Sequence, residues 1–245
     1  MNVVGTAVRR APRREYFELI LSAFPTGRIA DLGAGHGAFS MLAADLGWQV
    51  TAIDARAERW PIDDRIAWVH KDVRKVDLSD QDVVACLGLF YHLTLTDQLA
   101  LLKKCAGTPL IIDTHLACAG NERGKHLPDL SDEVQLDGYA GRYYDEDLSS
   151  PKASWGNDKS FWPTVDSFHR MLAENGYRAI MTLDPWYEPD RTFFLCLPGR
   201  SEGLHADTGA PPVVRQRRSR IQRAISRGKA LQAVAASKRA GHDTN

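Results

Sequence analysis

Arg28 to Ser40 read RIADLGAGHGAFS, with glycines at 33, 35 and 37 behind the acid Asp31. The apolar start reads as a short strand. AFSMLAADLG reads as a helix that closes at Gly47. A strand, a glycine-rich turn and a helix N-terminus together let a ligand approach backbone N–H groups closely. The dinucleotide fingerprint is GxGxxG, with a pyrophosphate on the helix end. Here the spacing is GxGxG, and a carboxylate at Asp31 opposes a pyrophosphate. Asp31 suits a ligand with an ammonium group, or a network that orders the loop.

Outward from this loop the pattern repeats. WQVTAIDA is a strand ending at Asp54, IAWVHKDV a third reaching Asp72 and Val73, and QDVVACLGLF a fourth. TDQLALLKKCAG is the following helix and PLIIDTHL a fifth strand. Upstream, EYFELILSAF is a helix ending at Pro25, preceded by an arm whose Arg9, Arg10, Arg13 and Arg14 read as solvated. Strands alternating with helices give an α/β fold, a doubly wound parallel sheet. From Ala117 to Pro163 periodicity is lost, yet six aromatics lie there. This is expected to be an insertion folded over one end of the sheet. TVDSFHRMLAENGY resumes as a helix, capped at Thr164 or its neighbour and ended by Gly176, and RAIMTLD and TFFLCLP form an antiparallel pair. The expected organisation is an arm and helix over 1–27, a domain over 28–199 with 117–163 as the cap, and a linker and basic, partly helical tail over 200–245.

Three acids, Asp31, Asp54 and Asp72, fall at three successive strand ends. The second can accept both hydroxyls of a ribose. The third can accept an adenine amino group beside the apolar Val73. With an ammonium near Asp31, the ligand that fits is S-adenosylmethionine. At DLGAGHG, VTAIDA, HKDV and CLGLFYHL the chain resembles the class I S-adenosylmethionine-dependent methyltransferases, over about Arg28 to Pro198. That resemblance implies a Rossmann-like seven-stranded sheet, mostly parallel with the last strand antiparallel. It implies cofactor contacts from Asp31, Gly33, Ala34, Gly35, Asp54, Ala55, Asp72, Val73 and Leu87, with Gly37 completing the loop. GLFYHLT and SFWPTVDSFHRMLAENGY resemble the carboxymethyl transferases of tRNA wobble uridine. GYAGRYYDE and SWGNDKSFWPT look more like methyltransferases of glycan and natural-product pathways.

Methyl transfer is an in-line displacement, so the protein positions the nucleophile and takes its proton. His92, just after the fourth strand, is the first candidate base, with Tyr91 beside it on the acceptor side. Asp113 and His115 end the fifth strand, where alternation points both the same way. They form a second candidate pair, a carboxylate orienting a base. A metal there lacks an evident third ligand, and none is expected. Arg142, Tyr143 and Tyr144 could bind an anionic or sugar-like acceptor, with Trp155 and Trp162 as stacking walls. The chain has Leu-Gly-Leu-Phe where an exocyclic base amine would call for Asn/Asp-Pro-Pro-Tyr/Phe, and no cysteine follows a proline. Oxygen methylation is therefore the first expectation and nitrogen the second.

Net charge is zero but uneven. From Val213 onward nine basic residues accompany one acid, Asp243, while the preceding body holds 22 basic and 30 acidic residues. The acidic body and aromatic insertion favour a small-molecule or glycan acceptor. The basic tail supports an RNA- or tRNA-directed alternative through phosphate contacts. A third reading is a cofactor-binding subunit without catalysis. Four cysteines, Cys86, Cys105, Cys118 and Cys196, form no CxxC pair and read as reduced thiols of a cytoplasmic protein. No membrane-spanning run and no secretory leader are expected. Oligomeric state is not legible.

Overall fold

The computed structural model describes residues 3–117, 130–150, 153–183 and 191–199, with side chains from Pro12 onward. The basic tail and Cys118 lie outside the described residues. A seven-stranded sheet is built from β1 (Arg28–Leu32), β2 (Gln49–Asp54), β3 (Ile66–His70), β4 (Val83–Leu87), β5 (Leu110–His115), β9 (Tyr177–Leu183) and β10 (Arg191–Pro198). Its order is β3-β2-β1-β4-β5-β10-β9. The first five strands pair in parallel, and β10 runs antiparallel to both β5 and β9. This is the seven-stranded arrangement that the sequence implies. Strand order reverses between β1 and β4, and in such sheets ligands bind in the crevice beyond the strand ends at that point.

Helices α1 (Val3–Ser22), α2 (Ala38–Asp45), α3 (Leu95–Lys104) and α4 (Val165–Glu174) cover the faces. Phe17, Ile20 and Leu21 of α1 share one apolar cluster with Leu42 and Ala43 of α2, Ile29 and Val83. Leu101, Leu102, Phe168 and Met171 of α3 and α4 share the other with Leu32, Val84 and Ile112. Alternating strand residues supply both cores, as a sheet covered on two faces requires. Thr94 and Thr164 cap α3 and α4 by accepting from the N–H of Asp97 and Ser167. Cys86, Cys105 and Cys196 are buried free thiols.

Two expectations change. The first helix extends well upstream of Glu15, through Pro12, so Arg13 lies within it and not on a solvated arm. The stretch expected to be irregular contains a small antiparallel sheet, β6 (Val134–Leu136), β7 (Tyr139–Asp145) and β8 (Lys159–Pro163). It stands against the segment after β4, where the Phe161 N–H donates to the Leu93 carbonyl at 3.0 Å. Among the described residues no helix is long and apolar enough to cross a membrane.

Candidate active site

Beyond β1 the loop folds back on β2, with the N–H groups of Gly33 and Ala34 donating to the Ile53 carbonyl at 2.8 and 3.1 Å. Gly33, Gly35 and Gly37 have φ of 69°, 55° and 69°, the left-handed region that glycine enters at little cost. At Gly37 a Cβ would stand 2.4 Å from the Trp68 ring, and at Gly33 one would meet Leu89 at 3.0 Å. The missing side chains therefore serve both backbone shape and close packing. Asp54 receives the N–H of Gly35 on one oxygen and that of Arg56 on the other, each at 2.8 Å. A carboxylate has about four lone-pair sites, so acceptor capacity remains.

A cleft of about 700 Å³, counted out to its mouth, opens here. Of the residues expected to hold a cofactor, Gly33, Gly35, Asp54, Ala55, Asp72 and Val73 line it. Its other wall includes Gly88, Leu89, His92 and the segment from Ala153 to Trp155. Ala34 and Leu87 pack toward the apolar core instead, and Gly37 caps α2. Asp31 lies below the loop, nearly inaccessible, and accepts from the Ser40 hydroxyl at 2.6 Å. Burial, with the charge of Asp54 adding, raises its pKa to about 6 despite the Ser40 hydrogen bond. Asp72 is not an open acceptor: Arg74 grips it through Nε at 3.0 Å and Nη2 at 2.7 Å, and this hydrogen bonding holds its pKa below the usual carboxylate range. Arg56 donates to the carbonyls of Ala153 and Ser154 at 3.1 Å and lies over the Trp155 ring, so Trp155 stands at the same cleft as the glycine loop and not beside Trp162.

His92 ends a short 3-10 turn, Phe90–His92, directly after β4. Its Nδ1 lies 2.7 Å from Oε1 of Glu146, a buried carboxylate directly after β7 that the sequence alone does not single out. Glu146 also accepts from the Ser160 hydroxyl and, at 3.0 Å, from the Ser154 N–H. Burial pushes its pKa up, but the hydrogen bonds from His92 and Ser160 outweigh this and hold it below the usual value. An ionised carboxylate only accepts, so Nδ1 of His92 is the donor in this pair, and in the neutral imidazole Nε2 is then the nitrogen left with a lone pair. Gln98 braces the turn by donating to the carbonyls of Phe90, Leu93 and Phe161 at 3.0, 3.3 and 2.6 Å.

The second candidate pair is arranged otherwise than expected. Asp113 has no exposed surface and takes Arg191 on both oxygens, at 2.8 and 2.9 Å, together with Arg13 at 2.7 Å. His115 meets the guanidinium of Arg191 at 3.0 Å, and since that group only donates, Nε2 of His115 accepts. The carboxylate is thus committed to two arginines, neither evident from sequence. Tyr91 packs on His92 and His115, with ring centroids 4.3 and 4.5 Å apart, and burial pushes its hydroxyl pKa up. On β7, Arg142 and Tyr144 share the face of Trp162, whereas Tyr143 points the other way, onto Phe161 and the apolar core. Among the described residues no three His, Cys, Asp or Glu side chains could hold a metal ion.

Comparison with known proteins agrees with this geometry. A family profile described as "Methyltransferase domain" matches residues 30–108. The match covers less than half of the chain. No curated protein matches by sequence. The methyltransferase fold recurs in the N-terminal domain of EvdMO1 with SAH bound, at 22% identity and TM-score 0.59, over 75% of this chain and 79% of that one. It recurs in the Burkholderia thailandensis 1,6-didemethyltoxoflavin-N1-methyltransferase at 16% identity and TM-score 0.53, over 77% and 78%. The glycopeptide N-methyltransferase MtfA complexed with S-adenosylmethionine is similar at 16% identity and TM-score 0.52, over 76% and 94%. Nothing in these similarities supports an RNA acceptor, and the tail on which that alternative rests lies outside the described residues.

Proposed function

We propose that the chain is an S-adenosylmethionine-dependent methyltransferase that acts on a hydroxyl of a small molecule or glycan. The observation that carries this reading is the His92–Glu146 pair at the wall of the cofactor cleft. A hydroxyl must lose its proton as it attacks, and with Nδ1 donating to Glu146, Nε2 of the neutral His92 ring would be the base that takes it. S-adenosylmethionine, when bound, supplies a methyl group activated by a positively charged sulfur. The glycine loop admits the cofactor against bare backbone, Asp54 would hold the ribose hydroxyls, and Asp31 would face the ammonium. The N-terminal domain of EvdMO1 has also been crystallised in the presence of SAH and D-fucose, which favours a sugar-bearing acceptor, whereas MtfA and the toxoflavin enzyme are N-methyltransferases and keep nitrogen as the second reading. The test is transfer of labelled methyl to a panel of phenols, hydroxylated sugars and matched amines. Label recovered as methyl ether supports the reading, and label confined to amines refutes it.

Two further results are expected. Asp54→Ala should weaken S-adenosylhomocysteine binding by about 1–3 kcal/mol in equilibrium dialysis. An unchanged dissociation constant would remove Asp54 from the site. The second concerns pH. Asp31 has a folded pKa of about 6, above its ordinary value of 3.8. The native state therefore holds this proton more tightly than the unfolded chain, and ionisation costs stability as pH rises between those values. A bound ammonium needs the ionised form, so cofactor affinity should be full above about 6 and fall up to about tenfold per pH unit below it. Affinity independent of pH between 5 and 8 would show that Asp31 orders the loop without serving the ligand.

A further inference from the structure

The stretch from Ala153 to Asn157 touches both halves of the site. On one side it meets the loops that follow β2 and β3. Arg56 donates Nη1 to the Ala153 carbonyl and Nη2 to the Ser154 carbonyl, both at 3.1 Å, and stands 5.3 Å from the centre of the Trp155 ring. Its backbone N–H donates to Asp54 at the end of β2. Arg74, which grips Asp72, reaches the Trp155 carbonyl at 3.4 Å. On the other side the stretch meets the base pair. The Ser154 N–H donates to Oε2 of Glu146 at 3.0 Å, while Oε1 faces His92. Nδ2 of Asn157 donates to the His92 carbonyl at 3.2 Å. Gly156 turns the chain between Trp155 and Asn157 with a φ of 86°, a conformation that a side chain resists. Trp155 lines the cleft yet keeps 53% of its surface exposed, so it has apolar ring surface left to pack on a ligand.

We propose that Arg56 is a positioning residue that acts in two directions through this stretch: it holds Trp155 toward the cofactor and keeps Ser154 on the carboxylate that orients His92. The proposal rests on the reading that the cleft holds S-adenosylmethionine. The Ala153 carbonyl and the Ser154 N–H belong to one planar trans peptide, so they point opposite ways from a rigid unit. Arg56 takes the carbonyl end of that unit and Glu146 the N–H end. Fixing one end therefore aims the other, and hydrogen bonds in such a chain polarise and strengthen one another. The planar fork of arginine takes two successive carbonyls in a set direction, whereas a lysine offers one ammonium on a flexible stem. Cofactor contact at Trp155 and carboxylate contact at Ser154 are thus ordered together. Binding of the cofactor tightens the hold on Glu146 by the factor by which that hold tightens the cofactor.

The test uses S-adenosylhomocysteine as the probe and NMR of the full chain. Two signals are followed: hydrogen exchange at the Ser154 amide, and the imidazole Nδ1–H proton of His92, identified by its loss in His92→Gln. In the parent, saturating S-adenosylhomocysteine should slow Ser154 exchange about tenfold, a usual size for coupling between sites. Arg56→Ala should abolish that slowing, weaken S-adenosylhomocysteine in calorimetry by about the same factor, and broaden the His92 proton. Arg56→Lys should resemble Arg56→Ala, because the charge remains but the fork does not. Exchange at the β4 amides, unchanged in both variants, marks an intact fold. Ser154 exchange indifferent to bound S-adenosylhomocysteine, parental behaviour of either variant, or a His92 proton that ignores both would overturn the proposal. Loss of β4 protection together with that of Ser154 would overturn it too, as a fold-wide effect. A parent that binds no S-adenosylhomocysteine, while Ser154 and His92 still answer to Arg56, would sink the cofactor reading and leave the tie between Arg56 and the base standing.

Discussion

Replacing His92 by alanine is expected to lower kcat by about 100- to 10,000-fold, the range in which positioned acid–base groups act. S-adenosylhomocysteine affinity should change little, because backbone N–H groups and Asp54 define the loop side of the cleft. Glu146→Gln should reproduce much of the loss. The amide can donate where the carboxylate could only accept, so it favours the imidazole tautomer with its proton on Nε2, and the base is then blocked. Glu146→Ala separates orientation from charge: it frees the ring but keeps Nε2 able to accept a proton. Single-turnover rates with a hydroxylated acceptor report the chemical step directly. Parental rates for His92→Ala would exclude it as the base.

The second large effect concerns stability. Asp113→Ala removes a carboxylate with no exposed surface from between two guanidiniums. Breaking a buried ion pair typically costs about 3–5 kcal/mol, because the remaining charge has lost its partner. Arg13 is one-fifth exposed and can turn toward water, which places the expected cost near the lower end, about 3 kcal/mol. For a domain of this size that corresponds to a fall in Tm of roughly 6–12 °C. The pair also ties three distant parts of the chain: α1, the end of β5 and the start of β10. Thermal unfolding followed by circular dichroism measures the cost. A Tm within about 2 °C of the parent would mean that the guanidiniums find equal partners elsewhere.

These two effects lie in different relations to the sequence. The cofactor side is legible because apolar runs fix the strand ends, and strand ends fix where Asp54, Asp72 and the glycine loop must lie. His92 follows for the same reason, one short turn beyond β4. Glu146 does not follow, because it stands 54 residues away in a stretch whose apolar positions keep no period. That stretch hides three strands. One is only three residues long, and another carries Gly141, where a Cβ would stand 2.3 Å from the Phe161 ring. A glycine inside a strand reads as a break in sequence, whereas here it is a point of close packing. Arg13 is obscured by its neighbour Pro12, which argues against a helix, although the helix continues through it. The contact of Arg13 with Asp113 spans 100 residues, and no local rule anticipates a pairing of that range. Asp72 shows the converse: its position is correctly anticipated, but Arg74, two residues on, occupies it.

Calorimetric titration of the full-length protein with S-adenosylmethionine, S-adenosylhomocysteine and NAD tests the central claim most directly. Saturable one-to-one binding of the first two, with no heat from NAD, is the expected result and ties the GxGxG loop to methyl transfer. Binding of NAD instead, or of none of the three, would contradict it and remove the basis for the roles given to Asp31, Asp54 and His92.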